Sequence, residues 1–164
     1  MSEKITNASL AFLKKEGETC LGIKQKKIGA GKWNGWGGRE EEGDGSIDDT
    51  MVRECDEEGR FTPTEYRKVA EVEFLNPSRD RELGRMLVHI YFVTAWDGEP
   101  ISTVEMKNPT WFRDEEIPYG KMLEADSWWL RKAIGGLTFR AFAKYGENWE
   151  FMEEESWIEE VDGF

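Results

Sequence analysis

The sequence predicts an α/β domain, a sandwich built on one mixed sheet. Three observations carry that expectation. Short apolar or alternating segments of strand character recur along the chain, at least two segments combine helical spacing with terminal signals, and the connections between them are both short and long. A regular βαβ repeat would alternate strand and helix strictly, so a mixed sheet fits better.

In chain order, 8–13 and 20–23 read as two strands flanking a turn at Glu16-Gly17-Glu18. A glycine-rich loop is expected from Gly29 through Gly38. The first helix is expected from Ile47 to Glu58, with Ser46 as N-cap, Asp48 and Asp49 at the positive end of its dipole, and Gly59 as its stop. Val69 to Phe74 and Leu87 to Ala95 have strand character, separated by a polar loop from Asn76 to Gly84. Asp97-Gly98 marks a turn, and Thr110-Trp111-Phe112 a short strand. A second helix is expected from Asp126 to Ile134, with Ser127 near its start and Gly135-Gly136 at its end. Leu137 to Val161 reads as two strands around a Gly146-Glu147-Asn148 turn. With no internal repeat or linker-like tract, residues 1–164 are read as a single domain.

The composition narrows the function classes. The 164 residues carry 34 acids against 22 Lys and Arg, a net charge of −12, which repels the phosphate backbone of a nucleic-acid polymer. A small phosphorylated ligand remains compatible where a divalent cation screens the local acids. No apolar run approaches the roughly 20 residues that cross a bilayer, so no membrane partner is expected. The start, Met1-Ser2-Glu3-Lys4, lacks the basic-then-apolar layout of a signal peptide, and a cytoplasmic location is expected. Cys20 and Cys55 are too few for a disulfide scaffold, and the single histidine, His89, sits in a strand-like context that favours a packing role.

Within the first helix, Glu54, Glu57 and Glu58 stand at i, i+3 and i+4, so three carboxylates share one face. Ile47, Met51, Val52 and Cys55 fall on a neighbouring face that can anchor the helix to a core. Arg53 relieves only part of the repulsion among the acids, and a divalent cation, which prefers hard oxygen ligands, would relieve more. The alternative is a solvated acidic face. Ahead of the helix, five glycines between Gly29 and Gly38 would permit close backbone approach, aiming carbonyls at a cation and N–H groups at phosphate.

Loop and helix together resemble the Nudix box, G-x5-E-x7-R-E-U-x-E-E-x-G-U, where U is bulky and apolar. The match runs through Gly38, Asp44, Arg53-Glu54-Cys55-Asp56-Glu57-Glu58 and Phe61. Asp44 stands for the first Glu, one extra residue lengthens the spacer, Cys55 takes an aliphatic position, and Arg60 occupies the late glycine position. Outside the box, Leu21 to Lys24, Gly29 to Gly38, Trp111-Phe112, Ile117-Pro118 and Asp126-Ser127-Trp128-Trp129 resemble the MutT-homologue branch, which acts on oxidised purine nucleoside triphosphates.

The resemblance implies the Nudix α/β/α sandwich with a mixed sheet. It also implies magnesium-dependent attack of water, with manganese as a substitute cation, on a nucleoside triphosphate. The substrate would be a purine nucleotide, oxidised ones such as 8-oxo-dGTP included, yielding nucleoside monophosphate and pyrophosphate. By the same resemblance Glu54, Glu57 and Glu58 are catalytic and metal-ligating, joined at the metal by the Gly37 carbonyl and by Glu105, whose other reading is a surface strand acid. Lys24 would meet a phosphate or sugar, or be an exposed strand lysine. Asn34 would read a purine edge, or close an Asx-type turn. Phe74 and Trp129 would wall the base, or belong to the core. Asp126 matches one acid of an adjacent pair that reads oxidised purines, with Ala125 in place of the other and Leu123 in place of a stacking Trp. Two other readings keep the fold: a nucleotide-binding module without turnover, and a hydrolase of another nucleoside diphosphate derivative.

Overall fold

The computed structural model describes residues 4–77 and 84–164. The loop expected over 76–84 therefore lies mostly outside the described residues, as do Met1 to Glu3 of the leader reading. Among the described residues, nine strands form one mixed sheet and two α-helices pack against it, which bears out the α/β sandwich.

Strand β1 (Thr6–Lys15) organises the sheet. It runs parallel to β6 (Arg85–Gly98) on one side. On the other it pairs first with β4 (Trp36–Arg39) and then with β2 (Glu18–Lys24), both antiparallel. β2 continues to β3 (Trp33–Asn34) and β7 (Met106–Arg113). Beyond β6 lie β5 (Phe61–Leu75), β8 (Phe139–Lys144) and β9 (Trp157–Glu160), with β8 parallel to β5.

Strand alternation supplies two cores. From β1 and β6, Phe12, Ile90 and Phe92 face α2 (Asp126–Ile134), where they meet Trp129, Leu130 and Ala133. Ala11, Leu13, Tyr91 and Val93 face α1 (Ile47–Gly59), where Met51 and Cys55 complete a second cluster with Trp36 and Phe61. Each buried Val, Leu, Ile, Phe or Met among them contributes about 1.5–3 kcal/mol.

Several expectations need correction. The segment expected as a glycine-rich loop contains β3 and β4. Glycine is required there by close approach rather than by a loop: a Cβ on Gly37 would lie 1.9 Å from the Ser9 carbonyl oxygen, and one on Gly38 would lie 2.5 Å from the Glu54 carboxyl carbon. β5 begins at Phe61, eight residues before the strand expected from Val69, because bulges between Pro63 and Ala70 break its alternation. β7 is likewise longer than its expected core of 110–112. Ser127 lies near the start of α2 as expected, its hydroxyl donating to the Glu124 carbonyl, while the N-cap residue is Ala125. The last strand starts only at Trp157, after a 3-10 turn at Glu153–Glu155.

Helix α1 opens as expected, with the Asp49 N–H donating to Ser46 Oγ, but its end differs. Gly59 is the last helical residue and is pressed against Phe61 and Trp36, where a Cβ would clash at 2.5 Å. The left-handed cap is Arg60, φ 62°, whose N–H donates to the Asp56 carbonyl. An L-residue pays a steric cost of about 1 kcal/mol or more in this conformation. Arg60→Gly is therefore expected to stabilise the fold by about 0.5–1 kcal/mol, read as a raised midpoint in urea unfolding with an unchanged slope. A lowered midpoint would show that the arginine side chain supports the fold.

Candidate active site

The carboxylate face of α1, the β1 and β4 backbone and the start of α2 line one cavity of about 650 Å³. Gly37, Glu54, Glu58 and Glu105 line it, and so do Lys24, Asn34, Phe74, Asp126 and Trp129. Nine of the ten residues singled out in the sequence thus share it. The tenth, Glu57, does not line it: its side chain is 57% exposed and accepts from Arg53 Nη1 at 3.1 Å.

Arg53 fixes the acidic face. It donates through Nε to Asp44 Oδ1 at 2.8 Å, through Nη2 to Asp44 Oδ2 at 2.9 Å, and through Nη1 to Glu54 Oε1 at 2.8 Å. This fork holds the Asp44 carboxyl well below the usual range. Asp44 also accepts from Thr50 Oγ1 and from the Glu41 N–H, so the shorter acid and its lengthened spacer still anchor the arginine.

Glu58 accepts from the Gly37 N–H and bonds to Glu54 side chain to side chain. Burial, then the negative charges of Glu54 and Glu105, push the Glu58 carboxyl up to about 8. Burial also raises Glu54, against the pull of Arg53. Two crowded carboxylates beside the β4 backbone form a hard-oxygen donor set, whose repulsion a divalent cation would relieve as a proton does. Among the described residues no group of three acidic, His or Cys side chains is already gathered around a single cation position. The fit therefore rests on this pair with Gly37, and Glu105 is near enough for its charge to act on Glu58. Glu105 itself is 37% exposed and lies 3.9 Å from Lys26. Lys24 is half-buried rather than a free surface lysine, and burial lowers its pKa.

Asn34 lines the same cavity, and its side chain bonds to the very next residue rather than closing an Asx-type turn. Its Oδ1 accepts from the Gly35 N–H at 2.9 Å, while the residue lines the cavity and keeps its amide N–H₂ for a partner. Asp126 is 3% exposed, with Oδ1 taken by the Trp129 indole N–H at 3.1 Å and Oδ2 without a protein partner. Burial raises its carboxyl to about 7. Trp129 is fully buried and packs edge-on against Phe12, so it serves core and cavity together. Phe74 stacks on Tyr145 at 6.5 Å and 14°.

Sequence reasoning missed Tyr145, Leu10 and Met86, which also line the cavity. Tyr145 comes to Phe74 through the parallel β5–β8 pairing, a contact with no local sequence signal. The buried cysteines are outside the cavity lining, and burial pushes both thiols up. His89 holds the packing role expected of it, bonded through Nε2 to Asn7 Oδ1 at 3.0 Å. No helix among the described residues is long and apolar enough to cross a membrane.

A sequence model of the NUDIX domain matches residues 4–134. A Danio rerio protein named oxidized purine nucleoside triphosphate hydrolase is 31% identical over 137 residues, covering 84% of this chain and 85% of the relative. One of the same name from Mus musculus is 32% identical over 144 residues, covering 88% of each. Among solved structures, a MutT protein from Bacillus halodurans superposes with a TM-score of 0.76 at 19% identity, covering 94% of this chain and 97% of that one. The NUDIX domain of Shewanella oneidensis NrtR, complexed with ADP ribose, gives 0.61 at 19% identity, over 82% of this chain and 88% of that one. Both structural likenesses concern the fold.

Proposed function

The chain belongs to the Nudix family, as a hydrolase whose relatives are oxidised purine nucleoside triphosphate hydrolases, and from that premise we propose that it is a magnesium-dependent nucleoside triphosphate diphosphatase of the cytoplasm. Its substrates would be purine nucleotides, oxidised forms such as 8-oxo-dGTP among them, and its products a nucleoside monophosphate and pyrophosphate. Removal of damaged precursors from the nucleotide pool is the corresponding role. The observation that carries the reading is one cavity with crowded carboxylates at Glu54 and Glu58 and a buried, half-partnered Asp126 among its other lining residues.

Members of the family use a divalent cation, and here Glu54, Glu58 and the Gly37 backbone would hold it, with Glu105 alongside. When bound, it neutralises pyrophosphate charge and lowers the pKa of water. Arg53 keeps Glu54 in place and holds Glu57 by a hydrogen bond, and that carboxylate would orient the attacking water. Glu57 or Glu58 takes the water's proton. Lys24, among the cavity-lining residues beside these acids, offers positive charge to a phosphate. Asn34 and Asp126 pair with the purine edge, with Phe74 and Trp129 as its aromatic walls.

The test is pyrophosphate and orthophosphate release across normal and oxidised nucleoside triphosphates, with magnesium, with manganese and with chelator. Pyrophosphate is expected from purine substrates only when a cation is supplied. Orthophosphate as the first product, or release that survives chelation, would overturn the reading.

A further inference from the structure

The last carbonyls of an α-helix have no partner within it, and two at the end of α1 are taken by the segment that leads into β7. The Ile101 N–H donates to the Gly59 carbonyl at 3.2 Å, and the Thr103 hydroxyl donates to the Glu58 carbonyl at 2.6 Å. The Thr103 hydroxyl oxygen in turn accepts from the N–H groups of Glu105 and Met106, each at 3.2 Å. A hydroxyl offers one proton and two lone pairs, so this one is fully used. One half-buried side chain thus ties the backbone of Glu58 to the backbone of Glu105, and both glutamates line the cavity. The two acids stand on elements with different supports: α1 packs on β1, β4 and β5, whereas β7 is paired with β2. The Glu58 carboxyl is held from its other side by the Gly37 N–H. The Glu105 carboxyl has a competitor, being 37% exposed with Lys26 Nζ at 3.9 Å.

We propose that Thr103 is a positioning residue for the cation site: its hydroxyl sets the separation of Glu58 from Glu105 and, through Glu105, the affinity of the site for a divalent cation. The proposal rests on the cation reading above. A carboxylate already in place costs no ordering when a cation arrives, whereas one that is free to move loses that freedom on binding. Without the Thr103 hydroxyl, the Glu58 carbonyl and the N–H groups of Glu105 and Met106 lose their shared partner, and the Glu105 carboxylate is left to solvent and Lys26. The strand itself stays anchored, because the Gln25 N–H still donates to the Glu105 carbonyl at 3.0 Å and Met106 stays paired with Lys24. The loss is therefore one of placement at the site rather than of the fold.

The experiment titrates manganese into the nucleotide-free protein and follows the paramagnetic resonance of the free ion, for wild type, Thr103→Val, Thr103→Ser, Glu105→Ala and the Thr103→Val/Glu105→Ala double variant. Pyrophosphate release and the melting temperature in chelator are measured alongside. Thr103→Val is expected to weaken manganese binding about tenfold, as loss of a group that orients a metal ligand does. Thr103→Ser keeps the hydroxyl and is expected to bind as wild type does. In the Glu105→Ala background the valine is expected to have little further effect, since the two residues act as one unit. Losses that simply multiply would show that Thr103 does not act through Glu105 and overturn the proposal. So would a lowered melting temperature with manganese affinity unchanged, the result for a merely structural hydroxyl. Thr103→Ala, whose smaller side chain lets water reach the freed groups, takes the same measurements if Thr103→Val does not fold. If wild type releases pyrophosphate only with a cation but the affinity ignores Thr103, the diphosphatase reading stands and the role of Thr103 fails. If the affinity shifts as expected but no triphosphate is hydrolysed, the role of Thr103 stands and the diphosphatase reading fails. A wild type that takes up no manganese overturns both.

Discussion

Glu58→Gln is expected to reduce pyrophosphate release by about 10²–10⁴-fold, the range for loss of a carboxylate that handles the reacting proton, while leaving the fold intact. The amide is isosteric and can keep the hydrogen bond from the Gly37 N–H. What disappears is a charge that burial, Glu54 and Glu105 all disfavour in the protein without a cation. The variant should therefore melt no lower than wild type in chelator. It should also lose most of the stabilisation that wild type gains from added magnesium, because a ligand raises stability only as far as it binds the folded state. Glu57→Gln is the comparison: that side chain is exposed, outside the cavity lining and held by Arg53. It should lose less activity and keep the magnesium-dependent rise in melting temperature. A Glu58→Gln enzyme with full turnover would remove the carboxylate pair from the mechanism.

Helix α1 could be read from the sequence because everything that defines it is local. Ser46 caps it, three glutamates fall on one face by spacing alone, and Met51 and Cys55 supply its anchor. Asp44 departs from the family pattern, yet the shorter acid still takes a two-armed grip from Arg53. The glycine segment misled for the opposite reason. Gly37 and Gly38 are dictated by Ser9 on a distant strand and by Glu54 on the helix, and composition alone cannot distinguish such strand glycines from loop glycines. The early half of β5 was hidden by bulges that interrupt its period, and the helix cap by an arginine in a conformation that glycine usually fills. Tyr145 depends on a parallel pairing between strands more than sixty residues apart, Leu75 opposite Lys144, so only the folded chain brings it to Phe74.

Asp126→Asn is expected to change stability and recognition in opposite directions. The carboxyl has an ordinary value of 3.8 and is raised by burial to about 7 in the folded protein. Below pH 4 the proton is bound in both states, and ionisation adds nothing to the balance. Between about 4 and 7 the unfolded chain has released the proton and the folded chain still holds it, so stability falls as pH rises. Above 7 the full cost is present. Asparagine cannot ionise, so the variant should lose this decline and gain on wild type between pH 5 and pH 8, with the difference vanishing near pH 4. It can still accept from the Trp129 indole through Oδ1, but it then turns an N–H₂ rather than a carboxyl oxygen toward the ligand. A purine amino group would face a donor there, at a cost of about tenfold or more in affinity. Melting curves at pH 4 and pH 8, paired with purine monophosphate titrations, separate the two effects. A variant that melts in parallel with wild type at both pH values would show that folding does not raise the Asp126 carboxyl above its ordinary value, and a variant that binds as tightly would show that its free oxygen does not meet the base.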